Sequence, residues 1–201
     1  MKTKSWPKRL VATTLVLMPL SGIGAVVAVN GKEWRQVIET TSTSWNTFAS
    51  QCDGATGLCG GDYSGWTWAS RDDVGELFSA FTGISPQPVF YQEKNALWAD
   101  IFLSFIYPTF EPSIFFRSIS GWTREVSTDP ARGNVATLSD QFNAQLFDQA
   151  NLASSANKAE VSTRIGAFLY VTPVAAIPEP GTLALLALGL AGLGRSWRKA
   201  S

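Results

Sequence analysis

The sequence predicts an α+β fold: a mostly antiparallel sheet with two or three packed helices, plus an N-terminal signal helix and a C-terminal hydrophobic sorting helix. Three observations carry this expectation. Short runs of aromatic and β-branched residues, bounded by Gly, Asn and Pro, recur through the middle of the chain and read as strands. Two other segments, around residues 74–81 and 97–106, repeat their apolar residues at helical spacing. The strands and helices come in separate runs, which favours this class over a doubly wound sheet.

At the N-terminus, Lys2, Lys4, Lys8 and Arg9 form a basic region, and residues 10–20 form an apolar one. Small residues follow at Ser21, Gly22, Gly24, Ala25 and Ala28. That order defines a secretory signal peptide, assigned to residues 1–28. Cleavage after Ala25 and cleavage after Ala28 both fit, and an uncut signal anchor is the alternative.

Residues 29–174 read as a single extracytoplasmic domain, long enough to bury its own core. With the basic residues of both ends set aside, nine Lys/Arg stand against fifteen Asp/Glu, a net charge of −6. An acidic domain lacks the basic face that nucleic-acid phosphates or anionic lipid headgroups require, so no nucleic-acid partner is expected. The chain contains no His. This removes the commonest general base and metal ligand, and with them Ser–His–Asp and Cys–His catalysis as normally built. A carboxylate pair would still serve a glycosidase. Asp72 and Asp73 make no such pair, because helical neighbours point about 100° apart. No catalytic residue, metal site or cofactor is assigned, and the domain is not expected to be an enzyme.

The domain opens with an expected strand over residues 31–38, where Trp34, Val37 and Ile38 favour β structure. The hydroxyl cluster 40–44 offers helix caps, and Trp45, Phe48 and Cys52 then share one helical face. Cys52 and Cys59 are the only cysteines. Outside the cytosol two such near neighbours pair as a disulfide; the alternative is a redox or metal role, for which the spacing is wrong.

Residues 65–69 form a short strand with Trp66 and Trp68 on one face. Ser70 can cap the next helix with Asp73 as its reciprocal partner. Val74, Leu77, Phe78 and Phe81 make its buried stripe, and Gly83 stops it. Residues 86–93 read as a loop. Asn95 is the expected cap of a second helix carrying Leu97, Trp98, Ile101, Phe102, Phe105 and Ile106, ended by Pro108. Ser120–Thr123 repeats the Ser-Gly-Trp-Thr of residues 64–67 and starts another strand. Residues 135–138 form a strand, 139–159 fit either a helix or a long loop, and 165–171 form an apolar central strand.

Residues 175–201 are the tail. Pro178 and Pro180 keep the segment before Gly181 extended. The apolar run 182–194 spans roughly 20 Å as a helix, short of a hydrocarbon core of about 30 Å. Arg195, Arg198 and Lys199 form a basic stop on the cytoplasmic side, with Trp197 at the interface. The alternative is a short buried core helix. The string Pro178-Glu179-Pro180-Gly181-Thr182-Leu183-Ala184-Leu185-Leu186, with its apolar continuation and basic end, resembles the PEP-CTERM sorting signal of Gram-negative bacteria. The resemblance implies export and transient membrane anchoring by the C-terminal segment. It also implies cleavage near Pro178–Pro180 by an exosortase-type membrane protease, and delivery to the cell surface or matrix, often beside exopolysaccharide production. The block Gly65, Trp66, Trp68, Ala69, Ser70, Asp73, Val74, Leu77 and Phe78 is similar to a domain common among PEP-CTERM proteins of Proteobacteria. That resemblance implies kinship and no activity.

The expected role is structural or adhesive. The alternative is a lectin-like carbohydrate-binding module in which Trp66, Trp68 or Trp122 stacks on sugar faces of a polysaccharide. A carboxylate-based glycan-active enzyme is a third, weaker reading.

Overall fold

The computed structural model describes residues 26–113, 115–142 and 146–173. A β-hairpin opens it, pairing strand β1 (Val26–Val29) with β2 (Lys32–Arg35). Its turn is Asn30-Gly31, with φ of 51° and 74°. Both residues are left-handed, as the tightest hairpin turns demand. The expected strand 31–38 is therefore the second arm of a hairpin only as far as Arg35, and Val37 and Ile38 instead open a 3-10 turn, Val37–Thr40. Val26–Ala28, assigned to the signal peptide, belong to the fold: Val27 is buried and pairs with Trp34. Cleavage after Ala28 would remove three of the four residues of β1.

Helix α1 (Trp45–Gln51) starts at Ser44, whose hydroxyl accepts from the Thr47 N–H at 3.2 Å. The short β3 (Thr67–Trp68) leads into α2 (Arg71–Thr82). The bounds of α2 follow from local chemistry. The Ser70–Asp73 box satisfies its first turn, and Gly83 ends it at φ 72°. Strand β4 (Phe90–Lys94) occupies the stretch read as a loop. Helix α3 (Leu97–Phe105) begins after Ala96. Asn95 does not cap it: Asn95 takes φ 47°, and the Ala96 N–H is held by the carboxylate of Asp148.

Four long or paired strands follow: β5 (Phe110–Ser113), β6 (Phe116–Val126), β7 (Arg132–Gln141) and β8 (Phe147–Asn157). The ambiguous stretch 139–159 thus supplies the end of β7 and the whole of β8. Its inward positions, Asp148, Ala150 and Leu152, alternate correctly, but only one of them is a large apolar residue. The expected central strand 165–171 divides into β9 (Gly166–Ala167) and β10 (Leu169–Val171).

These strands form two sheets. The order β4-β8-β7-β6-β5 makes the larger, with β9 parallel to β6; β1-β2-β10-β3 makes the smaller. α2 and α3 cover one face of the larger sheet. Leu77, Phe78, Phe102 and Leu103 pack there with Ile119, Leu138, Ala150 and Leu152. Trp122 and Val135, pointing to the opposite face, join a second core with Trp45, Phe48, Trp66 and Trp68.

Gly166–Val171 belongs to both sheets. Phe168 sits where it crosses, 1% exposed, with Trp34 and Phe78 ring centroids at 6.5 and 6.1 Å. Its N–H donates to Trp122 O at 3.2 Å, and its carbonyl accepts from Ala69 N–H at 2.9 Å. Gly121 leaves the space for its ring: a Cβ there would lie 2.6 Å from it. Overpacking of this kind costs about 1–3 kcal/mol. Gly121→Ala is therefore expected to lower the melting temperature by several degrees in circular dichroism, and an unchanged value would show that Phe168 does not rest on β6.

Candidate functional site

The functional element singled out by the sequence is the tail, and the last strand fixes where it leaves. β10 runs antiparallel to β2, Tyr170 facing Trp34 and Val171 facing Glu33, so the chain exits toward the Asn30-Gly31 turn. The described residues end at Pro173. Five further peptide units reach Pro178, a span of at most about 17 Å however they are arranged. Pro178, Glu179, Pro180, Gly181, Arg195, Arg198 and Lys199 lie outside the described residues. Any protease acting at Pro178–Pro180 must work within about 25 Å of Pro173, the reach of seven peptide units.

A charged cluster frames this exit. Lys32 Nζ binds Asp73 Oδ1 at 2.6 Å and Glu76 Oε2 at 2.9 Å, and lies 4.7 Å from the centroid of the Tyr170 ring. Asp73 Oδ2 also accepts from the Ser70 N–H at 2.8 Å and hydroxyl at 2.6 Å. One carboxylate thus ties β2, the last strand and the start of α2 together. Burial opposes the charge on Asp73, but the bonds from Lys32 and Ser70 outweigh it and hold the carboxyl below its ordinary value. Burial likewise opposes the charge on Lys32, and its two carboxylate partners raise it above the usual lysine range. Burial and the nearby Asp73 push the Tyr170 hydroxyl up.

Cys52 and Cys59 form a disulfide across an antiparallel bridge. It closes a turn organised by Asp53, whose Oδ1 accepts from the Thr56 N–H at 2.7 Å and the Ala55 N–H at 3.1 Å. Those bonds, the Thr56 backbone first, lower the Asp53 carboxyl. The loop is sewn to β3, with Trp68 N–H donating to Gly57 O at 2.7 Å and Cys59 N–H to Trp66 O at 2.9 Å.

The expectation that Trp66, Trp68 or Trp122 stacks on sugars is corrected by their burial. They are 7%, 1% and 0% exposed. The indole N–H of Trp68 donates to Trp122 O at 3.2 Å, and that of Trp122 to Thr43 O at 3.1 Å. Trp45 meets Trp68 at 5.3 Å, and the Arg35 guanidinium lies 5.6 Å from Trp66. These rings are core, and a platform for pyranoses needs a free face.

A shallow open cleft of about 290 Å³ runs beside α2, lined by Asp72, Gly75, Glu76 and Ser79 on the helix and by Ser85, Pro86, Gln87 and Leu152 opposite. Its two carboxylates lie one helical turn apart on the same element, and Glu76 is engaged by Lys32. Among the described residues no group of His, Cys, Asp and Glu side chains is placed to hold a metal ion. Two further buried polar centres were not legible in the sequence. Arg117 binds Asp140 Oδ2 at 2.7 Å and also pairs with Asp100, while Asp148 accepts from the Gln141 N–H at 2.7 Å. Each draws residues from separate segments, so no local signal could have shown it.

A folded domain that leads within a few residues into a C-terminal sorting motif is the plan of an exported protein sorted by its tail. Residues 176–199 match the family model of the PEP-CTERM protein-sorting motif, the signal an exosortase recognises. No curated protein and no solved structure matches the chain. Among the described residues no helix is long and apolar enough to cross a membrane.

Because the folded-state value of Asp73 is lowered, its stabilising contribution is present above the unfolded carboxylate range and is lost as pH falls through the folded value. Asp73→Asn is expected to cost about 1–2 kcal/mol at pH 7. The gap between variant and wild type should narrow in thermal melts as pH falls through and below the ordinary carboxylate range. A gap independent of pH would remove the ion pair and the charged cap from the account.

Proposed function

We propose that this chain is a displayed envelope protein with a structural or adhesive role in an exopolysaccharide or biofilm setting. The N-terminal signal exports it, and the C-terminal apolar segment holds it transiently in the inner membrane. An exosortase-type protease then cuts near Pro178–Pro180 and releases the domain to the surface or matrix. The observation that carries this reading is the match of residues 176–199 to the sorting motif, which begins three residues after the last described residue, Pro173. The domain upstream supports it. An acidic surface keeps an exported domain soluble, and the disulfide suits an oxidising compartment. The absence of His from the chain and the burial of its candidate stacking rings favour a scaffold over a catalyst or a lectin.

The test is the intact mass of the protein isolated from cells with and without an active exosortase. Loss of both ends is expected in the first strain, and retention of the tail in the second. A tail still attached in the presence of the protease would overturn the proposal. So would a tail lost equally in its absence.

A further inference from the structure

β4 is the open edge of the larger sheet. β8 lies on one side of it, paired from Phe90↔Asn151 to Lys94↔Phe147. Leu152 N–H donates to Val89 O at 2.8 Å, which makes Val89 and Leu152 a hydrogen-bonded pair. By the alternation of an antiparallel ladder, Tyr91 and Glu93 also turn their backbone groups toward β8. The N–H and C=O groups of Phe90, Gln92 and Lys94 therefore point outward, where no strand meets them among the described residues. Phe90 is 49% exposed, and Gln92, Glu93 and Lys94 are exposed as well.

Other edges are guarded. β5 carries Pro112 and a register shift between Phe110 and Ser113, both of which spoil pairing. β3 meets Leu58 of the disulfide loop. β1 is an edge of only four residues, shorter than β4. β4 has neither proline nor bulge.

We propose that β4 pairs with β4 of a second copy of this chain, antiparallel about a two-fold axis through Gln92. The ladder alternation permits it. Gln92 faces Gln92 of the second copy, and Phe90 faces Lys94 of the second copy on either side. All three pairs use outward-pointing groups, giving six N–H···O bonds. An axis through Tyr91 or Glu93 would pair only two of the three outward residues of each strand and give four such bonds, and an axis between two residues would oppose outward groups to groups already spent on β8.

The side chains are complementary in the same register. Phe90, Gln92 and Lys94 share one face. Lys94 Nζ already lies 5.4 Å from the centroid of the Phe147 ring. Phe90 of the second copy supplies a ring on its other side, so the lysine that would ordinarily guard an edge becomes part of the contact. On the opposite face Tyr91 meets Glu93 of the second copy, a pairing of the kind Tyr91 already makes with its own Glu93 at 3.0 Å. Two molecules joined this way share one continuous sheet.

The test uses the full exported chain extracted in mild detergent. Light scattering is expected to give twice the monomer mass. Gln92→Pro removes the central N–H, which no bond within the chain uses, and should weaken self-association by roughly 30-fold or more while leaving thermal unfolding unchanged. Gln92→Cys should form a disulfide-linked dimer on mild oxidation, and Ser113→Cys on the guarded edge should not. A monomeric wild type overturns the proposal. So does a Gln92→Pro chain that is folded and still dimeric, or Ser113→Cys cross-linking as readily as Gln92→Cys. Should Gln92→Pro fail to fold, the cysteine pair decides alone.

Discussion

The structure depends on the crossing of Gly166–Val171 from one sheet to the other, with Phe168 locked at the crossover. Neither sheet closes a core alone. The larger needs Phe168 to fill the space above Gly121, and the smaller needs β10 to join β2 to β3. The contact is made possible by what is missing: Gly121 and Gly166 lack side chains where the backbone and ring approach closest. Thr40 completes it, accepting the Ala167 N–H at 2.7 Å. The last strands to leave the ribosome therefore join elements formed from both ends of the domain.

That constraint bears on sorting. The tail does not hang from a loose terminus. It follows directly from a strand flanked on both sides, next to the Lys32–Asp73–Glu76 cluster. The domain must complete its fold using residues that lie only a few positions from the sorting motif. A protease acting on that motif thus meets a folded body, and the domain it releases keeps its closing strand.

Much of this was legible locally. α2 declared itself because its cap, its stripe and its stop all lie within Ser70–Gly83. The tail was legible for the same reason, since its three parts are contiguous. What failed to show was non-local or masked. β8 presents Asp148 and Ala150 to the interior where a strand pattern wants large apolar residues, so its alternation was hidden. β4 is an edge with mostly exposed side chains, and its composition resembles a loop. The Trp residues were visible as anomalies, but pattern alone does not separate a stacking platform from a buried cluster. Val26–Ala28 looked like the end of a signal peptide because small apolar residues suit both a cleavage region and an outer strand.

The central claim is that the crossing segment unites the two sheets into one cooperative unit. Native-state hydrogen exchange at the Ala167 and Phe168 amides tests it most directly. Both are predicted to exchange only through global unfolding, with the same free energy as the core amides of Leu138 and Ala150. Opening at a clearly lower free energy, while β6, β7 and β8 stay protected, would contradict the account.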